Sequence, residues 1–421
     1  MKHILYLCMT ALVVACTPTT VAPPTATPAV INAASTVQTP VATPTAVEAS
    51  AITLHVWLPD ALAGLDSVDT GDVLSEQISS FESAYPNIEI DLRLRATMGS
   101  GGILETMRSA SAVAPSALPD ITLLRYSDFR AAIAAGLVPP LDEGVLIAEE
   151  SFAPSVYTMS IVDGQAYGIP AALQVLHVAY RERAVPIESW RFADLLDAQI
   201  PVLFPGAPAT GISPVFLLQY VTAGADTNTA TALTLSEPAL RATLRYYERA
   251  AAANLVPTDV LEYDTPERYQ DALLDGTAVV VTSEMYLRAL QENVDLATGY
   301  VPTVDGEATT LLDGWLWVVL SDNGSRRPAA LEFVQWMMAT ERQTAYMQTI
   351  HMLPARLAAQ QALNPAYADF IDGLLQNAYL PLPDSLDGTT ARALQTAFAS
   401  VISGQSSAND ALDAALAQGG N

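Results

Sequence analysis

The sequence predicts an α/β protein of more than one domain, and three observations carry that expectation. Between residues 51 and 136, strand-type alternation and helical periodicity follow one another as βαβαβα, the pattern of a doubly wound sheet flanked by helices. The chain has 421 residues, 51% of them hydrophobic, more than one ordinary domain needs for its core. Midway, residues 163–180 read DGQAYGIPAALQVLHVAY. They hold a hairpin dipeptide, turn punctuation at Gly168-Ile169-Pro170, and then a small, apolar run broken only by Gln174 and His177. Such a run is an extended segment buried on both sides, in which Gln174 needs a hydrogen-bonding partner or a wet cavity.

The elements follow in order. Ile52, Leu54 and Val56 alternate on one face of a first strand. Leu74, Ile78, Phe81 and Tyr85 form a helical stripe that Pro86 stops. Ile88, Ile90, Leu92 and Leu94 alternate with charges as a second strand. Gly99-Ser100-Gly101-Gly102 lacks the Lys and Ser/Thr of a P-loop and reads as a tight turn into a helix over 103–110. Pro119-Asp120 introduces a third strand at 121–124. A helix over 128–135 is then closed by Gly136 and Pro139-Pro140. Beyond the middle segment the pattern is more helical. Ser236 caps a helix bearing Leu240, Leu244 and Tyr247, and Thr265-Pro266-Glu267 begins another that ends at Asp275-Gly276. Residues 277–282 are a β-branched strand, Tyr300-Val301-Pro302 reads as a return crossing, and 314–320 is a strand with two tryptophans. Helices are expected over 328–339, 341–350, 366–377, 389–403 and 407–417.

Composition narrows the function. A net charge of −26 with a single lysine, Lys2, argues against a nucleic-acid partner, because phosphate binding needs a basic surface. Both cysteines lie in the first sixteen residues, so the folded part forms no disulfide, which suits a large secreted chain. Lys2 and His3 precede an apolar run over 4–14 of signal-peptide length. Residues 17–50 are almost entirely Thr, Pro, Ala and Val, the composition of an extended tether. Catalysis finds little support. His55, His177 and His351 have no ligand neighbours at metal-site spacing, and no Gly-x-Ser-x-Gly elbow occurs. No enzyme activity, cofactor or metal is expected, and a lone His177 on an apolar stretch reads as a core residue.

Several motifs share one resemblance. Tyr167-Gly168-Ile169-Pro170, followed by Gln174 and Tyr180, resembles the first inter-lobe crossover of sugar-type (maltose-type) solute-binding proteins of ABC importers. Phe81-Glu82-Ser83-Ala84-Tyr85-Pro86-Asn87-Ile88, Leu118-Pro119-Asp120-Ile121, residues 276–286, Asp313-Gly314-Trp315 and Leu353-Pro354-Ala355-Arg356 are similar to further stretches of that family, in order, over nearly all of 51–419. Asp313 stands where the family motif has Gly. Thr389-Thr390-Ala391-Arg392 stands where some maltose-type members carry an aromatic platform, so the ligand or its stacking differs from maltose. Val13-Val14-Ala15-Cys16 resembles a bacterial lipobox, which implies cleavage before Cys16 and lipidation of its sulfur.

The resemblance implies a type II periplasmic-binding-protein-like fold, two doubly wound α/β lobes joined by a hinge. The layout expected is a lipoprotein signal peptide over 1–15, a tether over 16–50, one lobe from 51–171 plus 303–322, and a second from 172–302 plus 323–421. The function implied is a monomeric, lipid-anchored binding protein on the outer face of the cell membrane. It captures a carbohydrate, an oligosaccharide in the first instance, and hands it to ABC permease subunits. A non-sugar solute such as a polyamine, a secreted carbohydrate-active enzyme and a receptor that presents ligand to a sensor stay open as alternatives.

Candidate ligand contacts come from two arguments. Ligands of open α/β sheets sit beyond the carboxyl ends of strands, which selects Trp57 and Asp60 after the first strand and Arg125 and Tyr126 after the third. Trp57 lines the cleft or packs beside Val56, and Arg125 meets ligand or pairs with Asp128. The family match adds Gln174 and Arg356, and selects Tyr286 and Trp315 as flat apolar faces for sugar rings. Glu284 and Asp313 are carboxylates that would matter most for a cationic solute. Trp317 shares the face of Trp315 and reads as core.

Overall fold

The computed structural model describes residues 51–63, 68–142, 148–181, 189–208, 211–225, 233–322, 324–381, 386 and 388–419. The signal-type segment, Cys16 and the tether lie outside these residues. The strands are β1 Ile52–Pro59, β2 Ile88–Arg95, β3 Ile121–Arg125, β4 Ile161–Val162, β5 Gln165–Ala166, β6 Ile169–Tyr180, β7 Val202–Leu203, β8 Ala278–Thr282, β9 Ala297–Gly299, β10 Leu312–Val319 and β11 Leu353–Pro354. The helices are α1 Val68–Ala84, α2 Ile103–Val113, α3 Tyr126–Ala134, α4 Pro154–Met159, α5 Phe192–Ala198, α6 Pro214–Thr222, α7 Glu237–Ala252, α8 Gln270–Leu274, α9 Ser283–Gln291, α10 Arg326–Met337, α11 Thr340–Thr349, α12 Leu357–Leu363, α13 Pro365–Leu375, α14 Thr389–Ile402 and α15 Ala408–Gly419. Among the described residues no helix is long and apolar enough to cross a membrane.

A mixed sheet runs β2-β1-β3-β10-β6-β8-β7, with β9 and β11 also paired to β6. β1 is parallel to β2 and β3, as the βαβαβ pattern requires, while β10 returns antiparallel between β3 and β6. The Asp163-Gly164 dipeptide makes the tight β4–β5 hairpin, with φ of 50° and 79°. Those positive values are what a two-residue hairpin of this twist demands.

β6 is the strand that joins the two ends of the sheet. Ile169–Val175 pair with β10, and Leu173 and Ala172 with β11. Leu176–Ala179 pair with β8, and Val178–Tyr180 with β9. Successive backbone N–H groups point to opposite edges of a strand, so β9 and β10 follow one another along one edge and β8 and β11 along the other. At the changeover each residue has a strand on one edge only, Leu312 of β10 opposite Val175 and Thr282 of β8 opposite Leu176. The Val175 N–H donates instead to Ser283 Oγ at 3.2 Å, and the Leu176 N–H to Thr310 Oγ1 at 2.8 Å. The Thr310 hydroxyl in turn donates to the Leu176 carbonyl at 2.9 Å. Every buried backbone group must find such a partner. Gly314 lets β10 approach this strand closely, because a Cβ there would lie 2.4 Å from the Ala172 carbonyl oxygen.

Helices cover both ends. α1, α10 and α11 pack together and α10 rests on β1 and β10, with Phe81, Tyr85, Phe333 and Trp336 in mutual ring contact. At the other end α7, α14 and α15 pack together, and Phe204, Phe216, Tyr247 and Phe398 cluster beneath them. The expectation that 323–421 belongs wholly with the second lobe therefore needs correction. α10 and α11 cover the β1–β3 end, because the apolar face they bury is the one opposite Phe81.

His177 confirms the physical reading of a lone histidine on an apolar stretch. It is fully buried, donates from Nδ1 to the Val178 carbonyl at 3.0 Å and accepts at Nε2 from the Tyr367 hydroxyl at 2.9 Å. Burial holds its pKa down at about 4. Folded His177 is thus neutral where unfolded His177 takes a proton, so its contribution is intact above about pH 6.5 and is lost as pH falls towards 4. The shift corresponds to about 3 kcal/mol. His177→Gln should lower stability at pH 7 yet flatten the fall between pH 6.5 and 4, measured by urea unfolding across that range. An unchanged acid slope would assign the fall to other groups.

Candidate ligand-binding cleft

The carboxyl ends of β1, β2 and β3 and the start of β10 form one polar margin of the sheet. Asp60, just past β1, accepts from the Thr97 backbone N–H at 3.1 Å, from Thr97 Oγ1 at 2.8 Å and from the Ala61 N–H at 2.8 Å. It ties the end of β1 to the turn after β2. Arg125 at the end of β3 meets Asp313 on β10, with Nε donating to Oδ2 at 2.7 Å and Nη2 at 2.5 Å from the same oxygen. Asp313 Oδ1 takes the Gly314 N–H at 2.8 Å. The Asp313 carboxylate raises the Arg125 pKa. The sequence left Arg125 a choice between ligand and Asp128, and the structure gives it Asp313 instead, across adjacent strands.

Register places four side chains on one face. Trp315 is opposite both Arg125 and Ala172, and Asp313 is opposite Gln174. Paired residues share a face and alternate positions return to it, so Arg125, Asp313, Trp315 and Gln174 stand together. Gln174 is half-buried, and its amide makes no hydrogen bond among the described residues. The bulge between Trp315 and Leu316 leaves Ala171 as the extra residue. Its carbonyl accepts from the Ala355 N–H at 3.1 Å and from Gln343 Nε2 at 2.9 Å.

Other expected contacts sit elsewhere. Trp57 is 3% exposed and aligned with Thr122, hence on the opposite face from Trp315, with the Arg95 guanidinium 4.5 Å above its ring. It packs in the core, not with Trp315 around one ring. Tyr126, the first residue of α3, is 5% exposed and its phenol is pushed up by burial. Arg356 donates from Nη1 to the Met338 carbonyl at 2.8 Å, a cation at the end of α10. Glu284 pairs with Arg288 one turn on, at 2.7 Å, and its pKa is raised chiefly by burial.

Tyr286 is the largest departure. It is 6% exposed, donates its hydroxyl to the Leu296 carbonyl at 3.1 Å, and packs its ring against His177 and Tyr367 at centroid distances of 5.0 and 4.6 Å. Its position on α9, behind the first turn that carries Glu284, turns it inward. Sequence reasoning treated Asp128 only as a partner for Arg125, and did not single out Arg108 or Thr97. Asp128 lies three residues past the end of the third strand, two beyond Tyr126. Tyr286→Ala should therefore lower the stability of the ligand-free protein by about 3 kcal/mol, the cost of emptying a buried aromatic site, read as a shift in the urea midpoint. A variant as stable as wild type would return Tyr286 to the surface.

Comparison with known proteins follows the same lines. A sequence profile described as "Bacterial extracellular solute-binding protein" matches residues 76–371. No curated protein sequence matches the chain. Among solved structures, the sugar-binding protein MalE from the phytopathogen Xanthomonas citri is similar with a TM-score of 0.68 and 14% identity, over 87% of this chain and 96% of that one. The cyclic alpha-maltosyl-1,6-maltose binding protein from Arthrobacter globiformis gives 0.66 and 17%, over 87% and 97%. The GacH receptor of Streptomyces glaucescens, solved unliganded and with acarbose, gives 0.64 and 16%, over 87% and 96%. At these identities the likeness is one of fold, the two-lobed periplasmic-binding-protein architecture. Together with the profile match, it places the chain in the family of bacterial extracellular solute-binding proteins.

Proposed function

We propose that this protein binds a neutral carbohydrate between two lobes and delivers it to an ABC permease, acting as a binding protein and not as an enzyme. The observation that carries this reading is Gln174. Its half-buried amide has no protein partner among the described residues, at the point where β6 passes from one end of the sheet to the other. A carboxamide offers both donors and an acceptor, which suits sugar hydroxyls. Trp315 beside it supplies an apolar plane for a sugar's CH face. The Arg125–Asp313 pair takes up one cation and one carboxylate of that margin, so neither is free for a charged solute. The neighbours named for sugars point the same way.

In this reading one lobe comprises β1–β3, β10 and α1–α3 with α10 and α11, and the other comprises β7–β9 with α5–α9, α14 and α15. β6 and the 300–311 segment join them. Ligand that touches both lobes favours their closed arrangement by its differential contacts. Lipidation of Cys16 would hold the protein at the outer face of the membrane, with 17–50 as its tether.

Two measurements test this. Calorimetric titration with maltotriose should give saturable binding that Gln174→Ala weakens roughly five- to tenfold, the worth of one or two ligand hydrogen bonds. The unfolding midpoint should stay within experimental error, because the amide serves no protein group. Wild-type affinity in the variant would remove Gln174 from the site. For the anchor, metabolic labelling with a palmitate analogue should mark wild type and spare Cys16→Ser. Label kept by the mutant would end the lipoprotein reading.

A further inference from the structure

The bulge in β6 is held by groups from α11, α12 and β11. The carbonyl of Ala171, its extra residue, accepts from Gln343 Nε2 at 2.9 Å and from the Ala355 N–H at 3.1 Å. Gln343 Nε2 also lies 3.4 Å from Met338 Sδ, while Arg356 Nη1 donates to the Met338 carbonyl at 2.8 Å. Gln360 Nε2 donates to the Pro354 carbonyl at 2.8 Å, and Pro354 pairs with Ala172 beside the bulge. One residue along from each glutamine, Thr344 Oγ1 donates to the Ala359 carbonyl at 3.3 Å, which closes α11 on α12 at this level.

These bonds use only part of each group. Gln343 is 1% exposed and Gln360 2%. Gln343 Oε1, Gln360 Oε1 and Arg356 Nε are buried and meet no hydrogen-bonding partner among the described residues. Turning either amide over would not help. A carbonyl only accepts, so each amide must give its nitrogen to Ala171 or Pro354 and leave its oxygen over. Buried polar atoms are nearly always satisfied, so three orphans on side chains bound to the same few anchors call for a common partner. Their kinds are complementary, two acceptors and one donor. A cation would be repelled by the Arg356 guanidinium and an anion by the amide oxygens. Water, which donates twice and also accepts, matches all three.

We propose that Gln343 Oε1, Gln360 Oε1 and Arg356 Nε hold an internal water, which joins α11 and α12 behind the bulge of β6. The water accepts from Arg356 Nε and donates to the two glutamine oxygens, about the three hydrogen bonds usual for a buried water. A bulge changes by one residue which side chains share a face, so a bracket that fixes the bulge also fixes the face that carries Gln174. In this role Arg356 belongs to the scaffold and not to the ligand contacts that the family match suggests for it. The inference stands apart from the identity of the ligand.

The test is a high-resolution crystal structure of the ligand-free protein, read together with a double-mutant cycle in solution. The crystal should show an ordered water within roughly 2.6–3.2 Å of Arg356 Nε and of both glutamine oxygens. In the cycle, Gln343→Met and Gln360→Met should each lower the urea midpoint. The double variant should lower it by clearly less than the sum, because either change alone already strands the water's other partners. A dry site, or a rotation that pairs Arg356 Nε directly with a glutamine oxygen, overturns the proposal. So do additive midpoint shifts, since the two glutamines share a network only through the water. Should the double variant fail to fold, the crystal density decides.

Discussion

The structure depends on one strand with two sets of partners. β6 is twelve residues long, and its first seven belong to one end of the sheet and its last five to the other. At Val175 and Leu176 the strand partners change edge, and two side-chain hydroxyls, Ser283 and Thr310, accept the N–H groups that face no strand. Side-chain bonds of this kind re-form more readily at changed angles than a continuous ladder does. The two hydroxyls leave neither the Val175 nor the Leu176 N–H unsatisfied. Gly314 on β10 is the complementary constraint, since its missing Cβ is what lets the second strand of the joint lie against the first.

Around that joint, burial sorts residues that look alike in sequence. Arg125 and Asp313 are both polar residues at strand ends, and both are consumed by each other. Their bond ties β3 to β10. Gln174, one register step across, is left open. On the far side, His177, Tyr286, Tyr367 and Phe370 form an aromatic group whose polar atoms meet one another and two backbone carbonyls. That group behaves as core. It fixes α9 and α13 against β6, and so fixes the Ser283 end of the joint.

The aromatics that the family motifs single out do not share one environment. Trp57 and Trp315 occupy opposite faces of the same sheet, and Tyr286 points into α13. Of the three, Trp315, itself only 9% exposed, alone shares a face with Gln174, whose amide is unpaired among the described residues.

The sequence by itself determined the alternation of strands and helices, the helix caps at Ser236 and Gly136, the tight hairpin at Asp163-Gly164, the core character of His177 and the long buried strand β6. Each follows from short-range rules: side-chain period, backbone freedom and the cost of burying an unpaired polar group. Only the tertiary structure decided which end of the sheet α10 and α11 cover, that Arg125 takes Asp313 and not Asp128, and that Tyr286 and Trp57 turn inward. Those outcomes rest on contacts between residues far apart in the chain, and on which face of a strand its neighbour's register exposes. A position three residues past a strand end is a surface or a core depending on what packs there. Spacing along one chain carries no record of that.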